Sequence, residues 1–276
     1  RNNNDFTIRV PKGKIRVICS GDSFTLGYGV DNSQTWCKLL ELIDPRIESI
    51  NMGQGGYGIG QAYLWYNRDG TLLDHNIHIF AFISADFTRM MQKSFMGVPK
   101  PLLRSRNGKI FVENVPINRF FFHKILKYLR FFSFVRLSSE IQKDHFSNTL
   151  DKPEIFIEGA GEELIGTIFD SLKNINKAKG SKLVIVHLPT ENEYWNKYND
   201  GFHEFIRQEV EKRGIMYLNL VEEVRRGSYS EITKLFFQKD INGFDQSKGH
   251  LTPIGNTFVT KRISKTIAKI DSFITQ

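Results

Sequence analysis

The sequence has little cysteine and no long apolar run, and each absence excludes a class of protein. Cys19 and Cys37 are the only cysteines among 276 residues, so we expect neither a disulfide framework nor a cysteine-rich metal site, and we interpret both as core residues. No apolar run reaches the roughly eighteen residues that a membrane-spanning helix needs. The first residues lack the charged, apolar and small-residue order of a signal peptide. Because the sequence starts at Arg1 rather than methionine, loss of an upstream export signal would favour an envelope, periplasmic or secreted location; the localisation is otherwise open.

Several familiar motifs are missing as well. There is no G-x-S-x-G nucleophile elbow, no G-K-[ST] phosphate loop and no H-E-x-x-H zinc motif. The net charge of +8 favours acidic partners such as anionic glycans or lipid headgroups, but the basic residues are spread along the chain without a nucleic-acid signature, so no nucleic-acid partner is expected. The other histidines show no metal-binding spacing, so we expect no metal and no cofactor, and side chains that are hydrogen-bonded or exposed: His75, His78, His123, His145, His187 and His203.

The hydrophobic pattern predicts one α/β domain spanning residues 1–276. Apolar runs at 15–19, 47–50, 77–83, 183–188 and 215–220 read as strands, and helical patterns lie between them, as after Trp36 and Leu164. Nearly continuous apolar strands that alternate with helices favour a parallel sheet covered on both faces, with ligands at the carboxyl ends of its strands. The stretch 51–58 carries four glycines and is predicted to be irregular.

Residues 87–151 break this rhythm and read as an insertion. A Pro- and Gly-punctuated loop comes first, and an aromatic, basic segment at 119–137 then has the pattern of an amphipathic helix. One interpretation is a cap helix packed on its own domain; the other is peripheral contact with a membrane surface.

Ser23 has an unusual setting among the serines. It follows Gly21 and Asp22 at the end of the first strand and precedes a loop with Gly27 and Gly29. A hydroxyl there would be exposed at the rim of the sheet, with its own backbone N–H free to face an oxyanion. An ordinary turn or a phosphate-binding nest would use the same residues.

His250 supplies a second signal near the other end of the chain. Thr252 is a plausible N-cap and Pro253 a plausible first residue of the final helix. A loop just before that helix therefore holds the imidazole, which makes His250 a candidate base for a nucleophilic serine.

Four sequence blocks together resemble the SGNH (GDSL-type) hydrolase superfamily. They are Gly21-Asp22-Ser23-Phe24, Asn51-x-Gly53, Asp86 after an apolar strand, and His250-Leu251-Thr252-Pro253-x-Gly255. The resemblance covers residues 15–270 and implies a flavodoxin-like three-layer α/β/α sandwich with a sheet of about five parallel strands. It also implies a nucleophile at Ser23, a base at His250 and an oxyanion hole from the N–H groups of Ser23 and Gly53 plus an asparagine side chain. Asp22 is a further candidate site residue, and Asp86 is expected to anchor the active-site loop.

This sequence departs from the family pattern in two places. Ala85 occupies the position of the oxyanion asparagine, so either turnover is low or Ser84 or Gln54 substitutes. The acid that orients the histidine usually lies two or three residues before it, whereas here Asp245 is five residues before His250. We predict Asp245 as the third member of the triad, with Asp240 or a backbone carbonyl as the alternative. His187, at the end of a predicted strand, is a candidate substrate contact.

The resulting expectation is a serine esterase that acts on O-acyl groups, often acetyl, of a saccharide or lipid. O-acyl transfer to a polysaccharide would use the same residues, and hydrolysis and transfer are not separated by sequence. A catalytically impaired relative that binds an acylated glycan is the alternative suggested by Ala85. A phosphate-ligand binder that uses the glycine-rich region 53–60 is a third reading, suggested by the net charge. The oligomeric state stays unknown.

Overall fold

A parallel sheet lies at the centre of the protein, whose computed structural model describes residues 5–115, 159–195 and 200–274. The strands are β1 (Ile15–Gly21), β2 (Ile47–Gly53), β3 (Ile77–Phe82), β4 (Ser94–Phe95), β5 (Val98–Pro99), β6 (Leu102–Arg106), β7 (Lys109–Glu113), β8 (Lys182–His187) and β9 (Met216–Asn219). The helices are α1 (Ser23–Leu26), α2 (Trp36–Ile43), α3 (Ile59–Arg68), α4 (Ala85–Met91), α5 (Ala160–Ala178), α6 (Glu191–Trp195), α7 (Asp200–Glu211), α8 (Val221–Arg225), α9 (Tyr229–Ile232) and α10 (Pro253–Ile274). None of the helices in these ranges is both long and apolar enough to cross a membrane.

The main sheet has five strands in the order β2-β1-β3-β8-β9, all parallel. This is the doubly wound order in which the chain reverses direction across the sheet between β1 and β3, leaving a crevice beyond the carboxyl ends of the strands. The sequence prediction of a three-layer α/β sandwich is confirmed. The turn after β1, the end of β2 and the turn after β3 consequently lie at one rim.

The two faces of the sheet bury separate apolar layers. Side chains alternate along β1, so Val17 and Cys19 pack with α2 and α10, whereas Ile18 packs with α3, α5 and α7. Cys19 and Cys37 are buried and free, as predicted for core residues. Helices thus cover both faces, which explains why these strands are apolar at nearly every position.

The prediction of irregular backbone throughout 51–58 is wrong at its start. Strand β2 continues through Asn51 and Met52 to Gly53, because it stays in register with β1 from Cys19 to Gly21. Pairing along the full length of the neighbouring strand outweighs the low strand propensity of glycine.

The predicted loop after Phe87 is also shorter than expected. Helix α4 continues to Met91, and two hairpins follow, β4–β5 and β6–β7. The second hairpin turns at Asn107-Gly108, both with positive φ, a strong hairpin signal in the sequence. The amphipathic segment predicted at 119–137 lies outside the described residues, so the cap helix and the membrane contact stay predictions.

Asn256, which is fully buried, connects the last helix, α10, to the start of α2. Its Oδ1 accepts a hydrogen bond from the backbone N–H of Trp36 at 2.9 Å, and its Nδ2 donates to the carbonyls of Leu251 and Thr252. These bonds position α10, and with it the loop that carries His250, against the start of α2.

We expect Asn256→Ala to lower the free energy of unfolding by about 1–3 kcal/mol, because it leaves buried backbone groups without partners. Urea denaturation followed by circular dichroism measures this value. The exposed Asn67→Ala is the control and should change it by less than about 0.5 kcal/mol. Equal effects of the two variants would contradict the role given to Asn256.

Candidate active site

Ser23 is the first residue of α1, directly after the turn that ends β1. Asp22 caps this short helix by accepting the backbone N–H of Phe24 at 2.9 Å, and Gly27 ends it with φ 76°. The first N–H groups of a helix have no partner within it, so the Ser23 N–H is available to a ligand. The side chain of Ser23 is mostly buried but lies on the wall of a cavity.

His250 contacts Ser23 from the opposite end of the chain. The distance between His250 Nε2 and Ser23 Oγ is 2.9 Å. The imidazole stacks on Phe24 with 4.9 Å between ring centroids, and Gly249 supplies a positive φ just before it. The structure therefore brings the two predicted residues into hydrogen-bond contact across 227 positions of sequence.

The environment of His250 keeps its ring neutral. Burial, together with the positive charge of Arg89, lowers the pKa of His250 to about 4. A neutral imidazole can accept the proton of Ser23, which a general base must do.

The structure does not bring the predicted acid to His250. The Nδ1 atom of His250 is buried without a hydrogen-bond partner. The backbone of Ser247 and Lys248 nevertheless raises the pKa of the ring. Asp245 lines the cavity, but its backbone carbonyl accepts the Tyr28 hydroxyl at 2.8 Å, and no hydrogen bond joins its carboxylate to His250. Within the described ranges, no carboxylate is hydrogen-bonded to His250 Nδ1.

The alternative acid, Asp240, is likewise committed elsewhere. Its carboxylate accepts the backbone N–H of Lys248 at 2.9 Å, which shapes the loop that precedes His250. Its negative charge only slightly favours the protonated imidazole.

A buried ionic cluster lies beside the nucleophile, and its arginine was not singled out from the sequence. Arg89 Nη1 is 2.7 Å from Asp86 Oδ1 and 3.4 Å from Asp22 Oδ2, and that same Asp22 oxygen is 3.4 Å from Ser23 Oγ. Burial raises the pKa of both carboxyl groups, and the charge of Asp22 raises that of Asp86 further. Asp86 also accepts the N–H of Ile83, so it holds the turn after β3. The position of Arg89 one helical turn after Ala85 was the available signal.

Three predicted oxyanion donors are engaged or directed elsewhere. The Gly53 N–H donates to Asn51 Oδ1 at 2.9 Å. The Gln54 side chain is exposed, and the backbone N–H of Gln54 donates to the carbonyl of Gly21. The Ser84 hydroxyl donates to the buried carboxylate of Glu193. Gly53 instead permits close packing, since a Cβ there would lie 2.1 Å from the backbone nitrogen of Leu26.

The cavity in front of Ser23 and His250 has a volume of about 1210 Å³. Aromatic side chains form much of its wall: Tyr28, Tyr57, Trp65 and Phe95. Basic side chains form another part: Arg68, Arg89 and Lys100. Burial, with the charge of Arg89, lowers the pKa of Lys100 to about 8. The predicted substrate contact at His187 is not part of this wall.

Solved structures of other proteins share this architecture. A lipolytic protein of the G-D-S-L family from Desulfitobacterium hafniense superposes with a TM-score of 0.52 at 12% identity, covering 91% of this chain and 99% of its own. The acetyl xylan esterase AlAXEase superposes with a TM-score of 0.51 at 15% identity, covering 92% and 100%. The chain has the SGNH hydrolase fold.

The likeness of this chain to SGNH hydrolases is one of structure and not of sequence. No family model and no curated protein matches the sequence significantly. A GDSL-like lipase from Bacteroides thetaiotaomicron has a TM-score of 0.50 at 14% identity over 96% of this chain and 93% of its own. Identities this low establish the SGNH fold alone.

The low pKa of His250 predicts the acid limb of any activity that depends on it. The ring must be neutral to accept a proton, so kcat/KM should hold its neutral-pH value until the pH falls towards about 4. Initial rates with a p-nitrophenyl ester measure this, with circular dichroism at each pH as the control for unfolding. The same depressed pKa removes folding stability as the pH falls from 6.5 through about 4. An acid limb centred near 6.5 in folded protein would contradict the assignment.

Proposed function

We propose that this protein is a serine ester hydrolase that removes an O-acyl group, most simply O-acetyl, from a saccharide or a lipid. The observation that carries the proposal is the 2.9 Å contact between Ser23 Oγ and a neutral His250 Nε2 at the wall of an open cavity. Proteins of similar structure, which include an acetyl xylan esterase and a GDSL-like lipase, support the same reaction class.

The chemistry proceeds in two halves. Ser23 Oγ attacks the ester carbonyl carbon while its proton passes to His250 Nε2, and a tetrahedral oxyanion forms. The imidazolium returns that proton to the leaving alcohol, which leaves an acyl group on Ser23. A water molecule, deprotonated by His250, then releases the acid and restores the hydroxyl.

The oxyanion would be stabilised by the Ser23 N–H and by the positive charge of Arg89. Arg89 lines the same cavity and contacts the same Asp22 oxygen as Ser23 does. It lies on the same face of α4 as Ala85, one turn further on. A guanidinium can take over the charge stabilisation that the absent asparagine would provide.

The aromatic wall favours a saccharide over a long acyl chain as the main bound group. Tyr57 and Trp65 meet edge to face with 6.0 Å between centroids, and each keeps a polar atom beside its apolar ring. The same cavity wall carries the cations Arg68 and Lys100. Positive charge there fits a ligand that is hydroxylated and anionic. Acyl transfer to a saccharide hydroxyl is the second candidate, since an acceptor bound there would replace water in the second half.

A binding protein without turnover is the remaining alternative. It is favoured by Ala85 and by the absence of a carboxylate at His250 Nδ1 among the described residues. Such a protein would bind an acetylated oligosaccharide in calorimetry and release no acetate.

We expect Ser23→Ala to lower the rate of p-nitrophenyl acetate hydrolysis by at least about 10³-fold. Because the two residues act as a unit, the double variant with His250→Ala should hydrolyse the ester no more slowly than either single variant. Initial rates measure this. A fluorophosphonate probe with mass spectrometry should label Ser23 alone. The exposed Ser33→Ala is the matched control and should keep wild-type activity; equal rates in both serine variants would refute the esterase.

We expect Arg89→Met to lower kcat about 10²–10³-fold with a smaller change in KM, which is the effect of losing one oxyanion donor. Arg89→Lys should recover part of kcat, because it keeps the charge. Arg68→Met, in the same cavity wall, is the control and should change KM instead. Thermal unfolding of each variant separates loss of turnover from loss of fold, and a folded Arg89→Met with wild-type kcat would exclude the role.

A further inference from the structure

A second cluster of chemically active side chains lies behind the turn after β3, outside the cavity. His187 ends β8, Glu193 lies in α6 and His203 in α7, and all three are buried. Their candidate ligand atoms lie within 4.8 Å of one another. Ser84 reaches the same point from the turn that leads into α4.

The distances from Glu193 to the two histidines fit the edges of a metal-centred tetrahedron. Glu193 Oε1 is 3.2 Å from His187 Nε2 and 3.5 Å from His203 Nε2. Ser84 Oγ is 3.0 Å from the first of these nitrogens and 3.4 Å from the second. Four ligands at Zn–N or Zn–O bond lengths of about 2.0–2.1 Å would be separated by about 3.3–3.4 Å. The separations of Glu193 Oε1 from the two histidine nitrogens therefore suit ligands of one tetrahedral zinc ion, whereas the Ser84 hydroxyl is hydrogen-bonded to Glu193 Oε1 itself.

The remaining polar atoms of the cluster hold the ligand atoms in place. Glu193 Oε2 accepts the N–H and the hydroxyl of Thr190 at 2.9 and 3.0 Å, which leaves Oε1 to face the centre. His187 Nδ1 is 3.3 Å from the Tyr217 hydroxyl, which leaves Nε2 of the same ring to face the centre of the cluster. Metal sites use such outer contacts to fix the tautomer and the ring orientation of a histidine ligand.

We propose that His187, Glu193 and His203 bind a divalent transition-metal ion, zinc by its ligand set, with Ser84 hydrogen-bonded to the Glu193 ligand. Two imidazoles and one carboxylate are a known zinc ligand set that leaves a fourth position for another ligand. The ion would fasten the ends of β3 and β8 to α6 and α7. It would also fix the 83–86 turn, whose Asp86 holds Arg89 beside Ser23.

The sequence prediction of no metal site considered spacing along the chain alone. The three ligands are separated by five and nine residues and lie on three different elements. Such a set matches no short motif, because only the fold brings its members together.

The test uses the whole protein, stripped with a chelator and dialysed. One equivalent of Zn²⁺ should bind, as measured by elemental analysis and calorimetry, and should raise the melting temperature. Co²⁺ in the same site should give the intense visible bands of tetrahedral coordination. A stripped wild-type protein that takes up no stoichiometric Zn²⁺ would overturn the proposal and leave a hydrogen-bonded His-Glu-His cluster.

Two variants connect the binding to these residues. His203→Gln should weaken Zn²⁺ binding by at least about 100-fold, more than the loss of an outer contact does, and Tyr217→Phe should weaken it about 10–100-fold. His75→Gln is the matched control, since His75 is a buried histidine bonded instead to Tyr66 and Leu73. Unchanged Zn²⁺ affinity in folded His203→Gln would contradict the site. Esterase activity does not enter this test, so its outcome is independent of the proposed function.

Discussion

The short helix α1 packs directly against the backbone at the carboxyl ends of the sheet, and the rest of the site depends on that contact. A Cβ at Gly21 would lie 2.7 Å from the carbonyl oxygen of Ala81, and one at Gly53 would lie 2.1 Å from the nitrogen of Leu26. Only glycine leaves room for this approach. Because β1 pairs with both β2 and β3, the nucleophile at the start of α1 is held between two neighbouring strand ends.

Burial determines the charge state of the residues around that nucleophile. Removing His250 from water keeps its imidazole neutral, and the adjacent arginine acts in the same direction. The arginine in turn offsets the cost of placing two carboxyl groups, Asp22 and Asp86, in the interior. A histidine without a carboxylate partner at Nδ1 is a weaker base than one in a full triad. Desolvation and Arg89 disfavour the imidazolium that such a carboxylate would stabilise.

The turn from Ile83 to Asp86 connects the two polar clusters of the protein. Ser84 points into the cluster formed by His187, Glu193 and His203, whereas Asp86 points to Arg89 beside the nucleophile. Side chains on one tight turn thus anchor it from both sides. The turn therefore links the histidine cluster to Arg89 and Ser23 through a few bonds, without contact between the cluster and the cavity.

The sequence by itself determined the strand and helix pattern, the parallel sheet and the residues Ser23 and His250, because hydrophobic periodicity and short motifs are local properties of the chain. It missed Arg89 and the histidine cluster. It suggested Ser84, whose hydroxyl the structure engages with Glu193, and Asp245, whose carboxylate makes no hydrogen bond to His250. The third suggestion, Gln54, has an exposed side chain. Those assignments depend on which way a side chain points once its element has packed. Hydrogen-bond partners and pKa values come from neighbours far apart in sequence, so only the tertiary structure decided them.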